Sequence, residues 1–144
     1  MGRRLSDSLS LTIFYRLPVI ALLVLIFWQS SYPGIIEQSL FSFQDKVLHF
    51  GVYALLAFLT ARALKKEKPF WSINKIKIIA ILFACLVGLS DEIHQAFVPL
   101  RHASVWDFVA DCAGSITGCF FYMKFIYSHQ SCFEQQPSTI KSGE

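Results

Sequence analysis

Charge is scarce in this sequence: Asp, Glu, Lys and Arg make up 16% of its 144 residues, against 54% hydrophobic. A water-soluble domain of this size needs more polar surface than that to cover its core, so the composition argues for lipid surroundings. The net charge of +3 is too small to make nucleic acid a partner. Cysteine is scarce and unpatterned. Cys85, Cys112, Cys119 and Cys132 form no C-x-x-C pair, and three lie in or beside apolar runs. They read as small packing residues rather than a disulfide framework or a thiolate metal site. Strict apolar–polar alternation is missing as well, and the apolar runs exceed what a barrel strand needs. There is no nucleophile elbow, no H-E-x-x-H and no glycine-rich phosphate loop. No standard catalytic mechanism is therefore indicated, and no cofactor is expected.

What is present is four apolar stretches, at about residues 14–28 (uninterrupted over 17–28), 47–64, 76–90 and 105–127. A helix crossing a hydrocarbon core of about 30 Å needs about 20 residues, with a range of about 17–25. The second and fourth stretches meet this directly. The first and third meet it if Arg16, Lys75 and Lys77 extend their aliphatic stems to the interface. The first stretch follows Arg3 and Arg4 but ends in Gln29-Ser30-Ser31-Tyr32-Pro33-Gly34 without an A-x-A cleavage pattern. It is read as a retained span closed by a Pro-Gly turn. The expected fold is all-α, a four-helix membrane bundle over residues 1–127, followed by a polar tail, 128–144, expected to be disordered.

Lysine and arginine set the expected orientation. The N-terminal arm, the second connection and the C-terminal end carry eleven of them, and the opposite side only Lys46 and Arg101. Positive charge accumulates on the cytoplasmic side, so both termini are expected there, in a multi-pass protein of the bacterial inner membrane.

The polar intramembrane residues gather at the other end. Asp45, His49 and Tyr53 repeat at four-residue intervals at the start of the second helix, and Lys46 joins the same stripe. Asp91 and Glu92 share a face with Gln95 at the end of the third. Arg101 and His102 follow in a short loop, and Ser104 stands where an N-cap is expected. Asp107, Asp111 and Ser115 then descend one face of the fourth helix, with Gly114 and Gly118 forming a G-x-x-x-G step for close helix approach. Asp111 lies about 6 Å deeper than Asp107 at about 1.5 Å rise per residue. Ionisable groups at that depth are costly unless paired or wetted, so they are expected to face the bundle interior. Two readings stay open: a structural network, with Asp111 paired to Lys46 or Arg101, and a ligand-contacting site. Asp91, Glu92, Asp107 and His49 could together hold a hard divalent ion, but acid clusters carry no spacing signature, and no metal is assigned.

The same residues carry a resemblance. Ser30-Ser31-x-Pro33-Gly34, Asp45-Lys46-x-x-His49-Phe50-x-x-Tyr53, Asp91-Glu92-x-His94-Gln95-x-Phe97-x-Pro99-x-Arg101 and Asp107-x-x-x-Asp111-x-x-Gly114 resemble, in order, the motifs of VanZ-like proteins. The match covers about residues 14–122 and departs from the family at Asp111, where Asn is frequent. The resemblance implies a four-helix membrane protein of the bacterial envelope, in a family named from glycopeptide (teicoplanin) resistance, with no agreed reaction.

Three function classes follow. In the first, the chain binds an envelope lipid or glycan, with Lys46, His49, Tyr53, Glu92, Gln95, Arg101, Asp107 and Asp111 forming a site for an anionic group. In the second it is a membrane hydrolase or transferase acting on a lipid-linked substrate, with His49, Asp91 or Glu92 as general acid or base. A transporter would need ionisable groups through the whole depth, and the cytoplasmic halves of the spans offer almost none. Oligomeric state is not legible in the sequence.

Overall fold

The computed structural model describes residues 9–32, 43–101 and 103–134. The Pro33-Gly34 turn, Arg3, Arg4, His102, Lys141 and the end of the tail lie outside the described residues. Four helices follow one another: α1 (Leu9–Ser31), α2 (Gln44–Glu67), α3 (Ile73–Gln95) and α4 (Val105–Glu134). Among the described residues there is no strand. By length and composition, two of the four, α1 and α2, are long and apolar enough to cross a membrane. Helix α4 runs on to Glu134, beyond the apolar stretch that ends near 127, because no glycine or proline interrupts 128–134.

The boundaries have local causes. Helix α2 ends at Glu67, just before Lys68-Pro69, because a residue preceding proline is disfavoured in helical conformation. The Ser72 hydroxyl then accepts the Lys75 N–H at 3.3 Å and starts α3. In α1, residues Thr12–Arg16 widen into a π-helical turn just before Pro18. Proline has no N–H for the carbonyl four residues back. That carbonyl, on Phe14, accepts instead from Arg62 of α2 at 3.1 Å.

Helices α2 and α4 form the tightest pair. Cβ atoms built at Gly114 and Gly118 would lie 2.2 Å from the Phe50 carbonyl oxygen and 1.9 Å from that of Ala54. The G-x-x-x-G step thus lets two backbones touch, as expected. Helix α3 lays a column of small buried residues, Ala80, Ala84 and Gly88, against this pair. A Cβ at Gly88 would meet Asp111 Oδ2 at 2.7 Å, so the missing side chain is the room that Asp111 occupies. Tyr53, Leu56, Ala57, Ile76 and Cys119 fill the centre, while α1 lies to one side and buries Leu22 and Ile26. Large apolar side chains stay exposed outside it, among them Val24, Leu55, Leu86 and Phe121.

The two ends of the bundle differ in kind. At one, Arg16 meets Glu67 at 2.5 Å, Arg62 lies 4.6 Å from the Tyr15 ring centre, and Lys75 lies 4.3 Å from that of Trp71. At the other lie the end of α1, the start of α2, the end of α3, the connecting loop and the start of α4.

Candidate functional site

The up-and-down path of the chain brings the polar residues singled out in the sequence to this second end. Lys46 Nζ donates to Asp107 Oδ1 at 3.0 Å, and Asp107 is 3% exposed. One turn deeper, His49 Nδ1 lies 2.9 Å from Asp111 Oδ1 and 3.9 Å from Glu92 Oε1. Asp111 is fully buried and makes its pair with His49, not with Lys46 or Arg101, because the α2 residue level with it is His49. The other Glu92 oxygen accepts the Ser104 N–H at 2.7 Å and so anchors the segment entering α4. Gln95 donates to Asp91 Oδ2 at 2.9 Å across one turn of α3. Tyr53 stacks on His49, ring centres 6.2 Å apart and planes 13° apart.

Arg101 does something the sequence did not indicate. Its Nε donates to the Tyr32 carbonyl at 3.0 Å and its Nη2 to that of Gln29 at 2.5 Å. The last carbonyls of a helix have no intrahelical donor, so the guanidinium closes the end of α1. The carbonyls take up two of its five N–H donors and do not neutralise its charge. Leu100, immediately before it, has φ 66°, which turns the loop back toward α1.

Two residues that stood in the sequence only as motif letters, with no site role, also meet here. Ser31 donates to the Phe27 carbonyl at 2.7 Å and lies 3.1 Å from His94 Nε2. Its one hydrogen being used, Ser31 accepts from His94, which places a proton on Nε2. The Ser-Ser pair at the exit of the first span was a signal, but a polar pair beside a turn reads equally as loop.

Several buried oxygens here lack a hydrogen-bond partner among the described residues: Ser30 Oγ, Tyr53 Oη, Glu92 Oε1 and Asp111 Oδ2. Buried polar groups without partners cost free energy, and these four oxygens set this end of the bundle apart from the apolar centre. Beside them a cavity of about 320 Å³ opens between α1, α2 and α3. Its polar part is Gln29, Ser30, Asp45, His49, Tyr53, Asp91, Gln95 and Arg101, and its apolar wall is Leu25, Ile26, Leu48 and Val52. Lys46, Glu92, Asp107 and Asp111 stand behind His49, outside the lining.

A family model described as VanZ/LLP1 matches residues 8–127. The chain belongs to that family. No curated protein and no solved structure matches it.

Proposed function

We propose that this is a four-span protein of the bacterial inner membrane, both termini cytoplasmic. In this reading its extracytoplasmic cavity takes the headgroup of an anionic, hydroxyl-bearing envelope lipid or lipid-linked glycan. The observation that carries it is the two-sided lining of the cavity, apolar along Leu25, Ile26, Leu48 and Val52 and polar at one end. An amphiphile matches such a lining; a free ion or a wholly apolar molecule matches only half of it. Arg101 retains its charge on the polar wall and offers a planar fork to phosphate or carboxylate. Asp45, Asp91 and Gln29 supply acceptors for sugar or glycerol hydroxyls. The membrane placement draws support from the exposed apolar side chains on all four helices and from the basic bias of one end. A role in glycopeptide resistance, which the family resemblance implies, belongs to the same proposal.

The test is native mass spectrometry of the chain released from nanodiscs holding equal phosphatidylglycerol and phosphatidylethanolamine. Retained lipid should be enriched in phosphatidylglycerol, and Arg101→Lys should remove the enrichment while the chain stays folded. Equal retention of both lipids by the unaltered chain would overturn the reading.

One observation favours a hydrolase or transferase instead. His49 is oriented by a buried carboxylate at the cavity wall, the arrangement by which an imidazole serves as general base. Turnover of a lipid-linked phosphate, lost in His49→Ala while lipid retention persists, would decide for that alternative.

A further inference from the structure

We infer that His49, Glu92 and Asp111 form a binding site for one zinc ion. This does not rest on the lipid reading, since a chain that retains no lipid can still bind the metal.

The donor atoms of these three residues all lie within 4.8 Å of one another. Zinc bonds of about 2.0–2.2 Å at tetrahedral angles set neighbouring donors about 3.4 Å apart. The distances from His49 Nδ1 to Asp111 Oδ1, 2.9 Å, and to Glu92 Oε1, 3.9 Å, straddle that value. Shifts of about half an ångström bring both His49 sides to that length, and the third side, Glu92 to Asp111, lies within 4.8 Å, which leaves a fourth position on the metal.

Two features distinguish this triad from an ordinary group of acids. Glu92 Oε1 and Asp111 Oδ2 are buried with no hydrogen-bond partner among the described residues, and the parent residues are 7% and 0% exposed. Glu92 spends its other oxygen on the Ser104 N–H, which holds that carboxylate in place, and Asp111, seated in the room left by Gly88, would turn to the metal the Oδ1 that now pairs with the imidazole. An imidazole with two carboxylates suits zinc better than calcium or magnesium, which take oxygen alone. Binding replaces the single proton that lies between His49 Nδ1 and Asp111 Oδ1. A second triad, Asp45, His49 and Asp107, shares the imidazole, but Asp45 is exposed and Asp107 is held by Lys46.

The experiment uses the full chain in detergent, stripped with chelator and titrated with Zn²⁺ by calorimetry. One ion should bind per chain, and Glu92→Gln and Asp111→Asn should each weaken binding about tenfold or more. Asp45→Asn should weaken it far less. Absence of stoichiometric binding by the folded chain overturns the site, as does binding that survives both substitutions. Equal weakening by Asp45→Asn moves the ion to the outer triad and overturns it too. If the substituted chains fail to fold, Co²⁺ in the unaltered chain decides: intense tetrahedral visible bands support the site, and the pale octahedral spectrum refutes it.

Discussion

Adding one methyl group at Gly118 tests the packing on which the polar end depends. A Cβ there would sit 1.9 Å from the Ala54 carbonyl oxygen, 2.5 Å from its carbon and 2.8 Å from its Cα. These are backbone atoms of a helix, so no side chain can rotate out of the way. To reach ordinary contact α4 must retreat from α2 by roughly 1 Å or more, and a gap of about 0.5–1 Å forfeits about a quarter to a half of each dispersion contact. Overpacking of this kind costs about 3 kcal/mol. Helix propensity pulls the other way, since alanine in place of an interior glycine gains about 1 kcal/mol. The expected net loss for Gly118→Ala is therefore about 2 kcal/mol. Gly51 is the internal control: on the exposed side of α2, with nothing within 4 Å of its Cβ position, Gly51→Ala should be neutral or stabilising by up to about 1 kcal/mol. Unfolding in mixed micelles of dodecyl maltoside and SDS, followed by circular dichroism, measures both. A Gly118→Ala chain as stable as the Gly51→Ala chain would refute the close approach of α2 and α4.

Two further substitutions probe the polar end. Lys46→Met leaves the buried Asp107 carboxylate unpaired and should cost about 3–5 kcal/mol in the same assay, with most of it recovered by adding Asp107→Leu. No recovery in the double variant would mean that Lys46 acts through something other than this pair. Arg101→Ala frees the last carbonyls of α1 and should speed amide hydrogen exchange at the exit of α1 by tenfold or more, leaving α4 unchanged. Unaltered exchange there would show that the guanidinium does not hold α1.

The fold was legible to a large degree because apolar run length survives translation into structure almost unchanged. The stretches 47–64, 76–90 and 105–127 lie inside α2, α3 and α4, and the glycine step falls where α4 meets α2. The level of the site was legible too, since helix ends alternate between the two ends of an up-and-down bundle. Pairing within that level was not. Lys46, His49, Asp107 and Asp111 can be matched in several ways from spacing alone, and rotation of α4 about its axis decides among them. That rotation is set by Gly114 and Gly118 lying on the Phe50 and Ala54 carbonyls, which delivers Asp107 to Lys46 and Asp111 to His49. The part Arg101 plays at the end of α1 was hidden for a different reason. Its partners are backbone carbonyls, present at every residue and therefore invisible in a sequence. A loop of unknown direction could not announce that it turns back at Leu100 to the end of α1.

Cysteine accessibility in intact cells tests the central claim, a polar site on the extracytoplasmic end of a membrane bundle, most directly. In a cysteine-free background, single cysteines would replace Ala103, beside the site, and Phe70, a 99% exposed residue between α2 and α3 at the basic end. Labelling with a membrane-impermeant maleimide should mark position 103 before lysis and position 70 only after it. Labelling at 70 in intact cells, with 103 silent, would place the polar end in the cytoplasm and contradict the account.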